Sequence, residues 1–187
     1  RIAAAVALVV LVLSTQVAGE VYRVEGGGKE LQTVLRQAKY GDSVLVYPGR
    51  YHLQGRVRSG VKLLSAEGPD STVLWNKRWY IVNLRDCDME TQVSGFTFDG
   101  VGCNIAVACT SGAPVITDNV IKGSWDGISV QQSNAYLKGN RVEGCNRGIV
   151  VNASNPEIIE CTVTKTGEAI YLYSASPIIA RCKLVDN

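Results

Sequence analysis

The sequence predicts an all-β fold, a solenoid of parallel strands about six coils long, headed by a short helix. Three observations carry this. First, "NAYLKGNRVEGCNRGIVVNAS" at 134–154 is echoed 21 positions earlier by "APVITDNVIKGSWDGISVQQS" and 21 positions later by "NPEIIECTVTKTGEAIYLYSA". Second, apolar residues fall into fixed columns across these repeats, alternating with polar ones, as strands with one inward face require. Third, the chain has 19 glycines and only 7% aromatic residues, which suits a turn-rich β protein better than a helical bundle.

In chain order, "RIAAAVALVVLVLSTQVAGE" opens with a positive residue, an apolar run from Ile2 to Leu13, and small residues before Glu20. That is the build of a secretory signal peptide over residues 1–19. The run is short of the roughly 20 apolar residues a membrane span needs, so an uncleaved anchor is the weaker alternative. Residues 20–187 then form one domain. "KELQTVLRQAK" (29–39) places Leu31, Val34, Leu35 and Ala38 on one helical stripe, ended by Gly41. "GDSVLVYPGRY" holds a strand from Val44 to Tyr47, broken at Pro48-Gly49. "GVKLLSAEGPDSTVLW", "YIVNL", "QVSGFTF" and "NIAVA" follow as short strand-like pieces.

From residue 113 the columns read directly. They are Ile116, Leu137, Ile158, Ile179; then Ile121, Val142, Val163, Leu184; then Ile128, Ile149, Ile170; then Val130, Val151, Leu172. The coil over about 90–112 fits with two extra residues, Val93, Phe98, Ile105 and Val107 taking the apolar positions. A fixed shift of this kind is solved by a coil whose strands pair in parallel with their equivalents one turn on, about 4.8 Å away. Gly127 and Gly148 precede the third column, where a sharp bend is expected. Asn119, Asn140, Cys161 and Cys182 share a column between two strands, where an inward Asn bonds the bend's backbone and Cys is a compact filler. Cys161 and Cys182 would lie within disulfide range, but parallel side chains favour stacked free thiols. The chain stops midway through a coil, so further coils and a cap are expected beyond Asn187.

These residues resemble the right-handed parallel β-helix superfamily, the pectin-lyase-like fold. "LQTVLRQAKYGDSVLVYPGRYHLQGRVRSGVKLLSAEGPDSTVL" resembles the N-terminal cap and first coils of its secreted members, and "GNRVEGCNRGIVVNAS" resembles the repeat of carbohydrate-binding and sugar-hydrolase β-helices and of a periplasmic copper-linked accessory family. The resemblance implies a right-handed helix with function on its outer face. It implies little about activity, because the superfamily spans lyases, hydrolases, esterases, epimerases and adhesins.

The outward columns are therefore where a site is sought. Asp126, Arg147 and Glu168 form one column, read as a surface ladder of alternating charge; no second acid stands beside Asp126 as a glycosidase would need. No catalytic residue is identified. A lyase would imply Ca²⁺, but no metal site or other cofactor is read here; Asp86 and Asp88 in "RDCDME" are a weak metal candidate. The columns Ser129, Val150, Tyr171 and Gln131, Asn152, Tyr173 flank the third strand. With Trp125, Asn146 and Arg147 they make a polar-aromatic strip suited to sugars, and Asp126 and Glu168 are counted among its candidate binding residues; an ordinary solvent face rich in β-formers is the plainer reading. Trp75, Trp79 and Tyr80 are read as core or turn residues, and His52 as a surface turn residue. Asn152 in "NAS" is a glycosylation acceptor pattern if the source is eukaryotic.

Net charge is +2 with 19% charged residues, without the basic stripe of a nucleic-acid binder. One His and no CxxC argue against zinc. The expectation is a secreted, periplasmic or cell-surface monomer that recognises or scaffolds on extracellular or cell-wall polysaccharide, with no membrane span after leader cleavage and no complete catalytic site in these coils. The N-terminal part of a polysaccharide lyase or glycoside hydrolase is the alternative, and a periplasmic accessory protein the third reading.

Overall fold

The computed structural model of the chain describes residues 19–26 and 30–187. The expected leader, all but Gly19, lies outside the described residues. Among those described, no helix is long and apolar enough to cross a membrane.

From Val21 the chain winds through three parallel sheets. Sheet A holds eight strands, from Val21–Val24 and Ser43–Val46 through to Glu157–Ile159 and Ile178–Ala180. Sheet B holds seven, from Gly49–His52 to Lys183–Val185, and sheet C six, from Gly55–Val57 to Glu168–Tyr173. Each strand pairs in parallel with its equivalent one coil on, as in Ile128↔Ile149 and Ile149↔Ile170. The solenoid thus has about eight turns rather than six. The first coils were hidden because their lengths vary: Lys62 pairs with Gln92, 30 residues on, and Ser94 with Thr117, 23 on, before the step settles at 21.

The helix Glu30–Gln37 replaces the sheet B and C strands of the first turn. It packs on Val21–Val24, Ser43–Val46 and Gly55–Val57, so Leu31 and Leu35, with Ala38 just beyond, close the near end of the core. Glu30 in the first turn and Arg36 in the last complement its dipole.

The four apolar columns stack as expected. Ile116, Ile121, Ile128, Leu137, Val142, Ile149, Ile158 and Val163 are fully buried, each burial being worth about 1.5–3 kcal/mol. Leu172, Ile179 and Leu184 pack against one neighbouring coil and are accordingly exposed. One register differs from expectation. Val107 and Cys109, not Ile105 and Val107, join the sheet C columns, while Ile105 pairs with Asp126. The two extra residues sit after Asp99, in the turn at Gly100–Gly102, and shift everything behind them by two.

Asn119 and Asn140 are 1% exposed and bond along the axis. Asn140 Oδ1 accepts from Asn119 N (3.2 Å) and Nδ2 (3.1 Å), and its Nδ2 donates to the Ile116 carbonyl at 2.8 Å. Cys161 continues the column with its thiol against the Leu137 and Ile159 carbonyls, and Cys182 follows. All six cysteines are free thiols. Burial pushes the Cys161 thiol up to about 11.

Gly127 and Gly148 serve a different purpose from the one expected. Neither has positive φ, so neither makes a bend. A Cβ on Gly127 would lie 2.5 Å from the Gly148 carbonyl oxygen and 2.7 Å from Val142; one on Gly148 would lie 2.5 Å from the Ala169 oxygen. Close approach of successive coils excludes a side chain there. The bends are elsewhere, at left-handed residues in columns: Asp118, Gly139, Glu160, Arg181; Gly123, Gly144, Lys165; and Ser111, Gln132, Ala153, Ser174.

Candidate functional site

The outer face of sheet C is built by alternation. Arg56, Asn83, Ala108, Ser129, Val150 and Tyr171 form one outward column, and Arg85, Thr110, Gln131, Asn152 and Tyr173 the next. At its C-terminal end Trp125, Asn146, Arg147, Gly167, Glu168 and Tyr171 line a depression of about 470 Å³. The turn carrying Trp125 is fixed by backbone: Trp125 N donates to the Cys103 carbonyl (3.0 Å), and Arg147 N to the Trp125 carbonyl (2.8 Å). Ser124 Oγ donates to the Asp126 carbonyl at 2.7 Å. Trp125 is left 59% exposed.

Arg147 is the centre of the depression. Its Nε and one terminal nitrogen donate to Asp126 Oδ1 and Oδ2 at 2.7 and 2.8 Å, a two-pronged pair. Asp126 beside it pushes the guanidinium further up from its ordinary value. The same guanidinium lies 5.3 Å from the Tyr171 ring centroid, within cation–π reach. The expected surface ladder is therefore corrected: Asp126 is 6% exposed, buried beneath Arg147, while Glu168 is exposed. Arg147 is half-buried, and the pair holds it in one orientation.

Of the strip expected from sequence, Trp125, Arg147, Glu168 and Tyr171 converge, with Asp126 as their support. Gln131, Asn152 and Tyr173 stand outside the depression, one outward column further along the strands. Val150 is buried at 8%, so that part of the strip is not solvent-facing. Asp88 is a turn residue whose Oδ1 accepts from Gly60 N, Glu90 N and Thr91 Oγ1, while Asp86 lies near Arg56 and Arg85 at 3.9 and 3.8 Å. Among the described residues no three His, Cys, Asp or Glu gather to hold a metal.

One aromatic expectation changes. His52 is exposed but stands in a strand rather than a turn, edge-on to Trp75 with ring centroids 4.7 Å apart, and Arg50 lies over the same indole. Trp79, read as core or turn, lies in the turn before Tyr80 and is 69% exposed. Missed in the sequence were the cations Arg36, Arg56, Arg58, Lys77 and Arg78, which come from three separate segments and line two adjoining depressions at the other end of sheet C.

The profile of the right handed beta helix region family matches residues 80–187, more than half of the chain. The chain belongs to the right-handed β-helix family. Among solved structures, this β-helix is similar to the PL6 family alginate lyase AlyGC in a point-mutant form, at 12% identity and a TM-score of 0.50. That match covers 88% of this chain and 29% of the lyase, so the chain spans under a third of that enzyme's length. A candidate glycosyl hydrolase from Parabacteroides merdae ATCC 43184 also matches, at 11% identity over 89% of this chain and 98% of that one, with a TM-score of 0.30. At 12% identity, the β-helix fold is what this chain shares with the lyase. No curated protein matches the sequence.

Proposed function

We propose that this β-helix binds polysaccharide in the Trp125–Arg147–Tyr171 depression without turning it over. The observation that carries the reading is the fixed Arg147, gripped by a buried carboxylate on one side and stacked near an aromatic ring on the other. A positioned donor fork between two exposed aromatic rings offers a sugar both a flat apolar face and directed hydrogen bonds. Asp126 is committed to Arg147, which leaves Glu168 as the open carboxylate of the depression; acid–base cleavage of a glycoside needs two. The leader-like build of residues 1–19 supports action outside the cytoplasm.

A glycan array on the protein, run beside assays for new reducing ends and for unsaturated products, tests this. Binding without product is expected, weakened at least about 10-fold in Trp125→Ala and in Tyr171→Ala, about 1.4 kcal/mol in binding free energy. Product formation would replace the binding reading with a lyase or hydrolase. Undiminished binding by both variants would remove the depression from the account.

A further inference from the structure

We infer a second, separate binding site at the N-terminal end of sheet C, made for the anionic groups of a carboxylated or sulfated glycan. Two depressions adjoin there and share Gln54. One, of about 310 Å³, takes Arg36, Arg56, Arg58 and Tyr80 among its walls. The other, of about 240 Å³, takes Lys77, Arg78, Trp79 and Asn104. Together they hold five cationic side chains and no carboxylate, in a chain whose net charge is only +2.

Solvated cations on an ordinary surface are interspersed with acids, as sheets A and B show here: Lys122 and Arg141 with Glu143, Lys138 and Arg181 with Glu160. The walls of the two N-terminal depressions have no interspersed acid. Arg36, Arg58, Lys77 and Arg78 form no ion pair among the described residues, and Arg56 has only Asp86 at 3.9 Å. Like charges gathered without counter-charges raise each other's energy, and an anionic ligand relieves that cost on binding.

The segment carrying Lys77, Arg78 and Trp79 is also held in place. Asn76 is 2% exposed. Its Oδ1 accepts from Lys77 N (2.7 Å) and Arg78 N (3.1 Å), and its Nδ2 donates to the Leu53 carbonyl (3.2 Å) and the Tyr80 carbonyl (3.0 Å). On the far side Asn104 N and Ile105 N donate to the Arg78 and Trp79 carbonyls, both at 2.9 Å. Gln32 Nε2 donates to the Gln54 carbonyl at 3.2 Å, tying the floor shared by both depressions to the helix Glu30–Gln37. A loop pinned by one buried amide presents its cations at little ordering cost. Trp79 gives a ring face beside them, which favours a sugar chain over a free inorganic anion.

The test uses three polymers on one backbone: dextran, carboxymethyl-dextran and dextran sulfate, with a single-stranded oligodeoxynucleotide as a fourth arm. Binding is followed by titration calorimetry at low salt, against wild type, the triple variant Arg58→Gln/Lys77→Gln/Arg78→Gln, and the control triple Arg23→Gln/Lys165→Gln/Lys183→Gln. All six replaced residues are exposed, and circular dichroism verifies folding. The expected result is binding of one or both charged dextrans but not of dextran. The site triple should weaken it at least 10-fold, the control less than 3-fold, and added salt should weaken it further. Which charged dextran binds tighter decides between carboxylate and sulfate. Equal loss in both triples, equal binding of plain dextran, or tighter binding of the oligonucleotide would each overturn the proposal. Trp125→Ala/Tyr171→Ala keeps the two readings apart: if it binds the charged dextrans like wild type, the N-terminal site stands whether or not the other does.

Discussion

The coils over residues 113–187 and those over 43–112 are built on one plan and differ in how strictly they keep it. In the later coils the step is 21 residues each time, and corresponding side chains sit over one another from Ile116 to Ile179 and from Ile121 to Leu184. In the earlier coils the strands still pair in register, but the chain between them swells to give the Ala66–Ser71, Asn76–Trp79 and Gly100–Asn104 segments. The inward positions are as apolar in one region as in the other; Leu63, Leu74, Val82 and Phe98 are fully buried. What varies is the material between strands, and that is where Lys77, Arg78 and exposed Trp79 are found. A solenoid of nearest-neighbour contacts tolerates this, because an insertion at one corner leaves the rungs on either side intact.

The comparison breaks hardest at the rung contacts of the regular region. Gly148→Val places a side chain 2.5 Å from the Ala169 backbone oxygen, which cannot move without displacing the next strand. A loss of about 3 kcal/mol or more is expected in denaturant unfolding, with Gly127→Val behaving alike. Next comes Asn140→Leu, which strands the Asn119 backbone N–H and the Ile116 carbonyl in the core. It should cost about 2–3 kcal/mol. Asn140→Cys should cost less, since Cys161 already fills the same position one rung on; equal losses would mean that a thiol cannot stand in for the amide at this rung.

A third effect is pH-dependent. Burial pushes the Cys87 and Cys161 thiols up to about 11, and Cys109 upward as well. The unfolded chain ionises these thiols near 9, so it binds fewer protons than the folded protein between about 9 and 11. Stability is therefore unaffected below pH 9 and falls as pH rises through that window, by up to about 1.4 kcal/mol per unit for each such thiol. Urea unfolding at pH 8, 9 and 10 reads the slope, and Cys161→Ala should flatten it. The smallest expected change is that of Trp79→Ala, on the exposed segment: under about 0.5 kcal/mol in stability. A larger loss would show that the irregular coils are as tightly coupled as the regular ones.

How far the sequence was legible follows the same division. The columns from Ile116 onward could be read by eye because the period is fixed. So could the inward Asn119–Asn140 pair. Phe98 was placed correctly, yet Ile105 was not, because nothing in "DGVGCN" says on which side of the turn two added residues belong. At the site, Asp126, Arg147 and Glu168 were legible as one column, but the burial of Asp126 was not read from it, although Asp126 shares the parity of the inward Ile128 and Val130 and its carboxylate is covered by Arg147. The N-terminal cations were illegible for a plainer reason. Arg36 comes from a helix, Arg56 and Arg58 from a short strand and its end, and Lys77 and Arg78 from a turn, and only the winding of the chain makes them neighbours.

The left-handed corners carry a practical corollary. Each recurs at the same place in every regular coil, and residues as different as Gly139, Glu160 and Arg181 adopt it in turn. The stretch between two such corners behaves as an interchangeable cassette. Duplicating residues 134–154 should splice in one extra layer and lengthen the rod by about 4.8 Å, repeating Asn146 and Arg147 and so drawing the Trp125–Tyr171 depression out by one rung, like an added mark on a ruler.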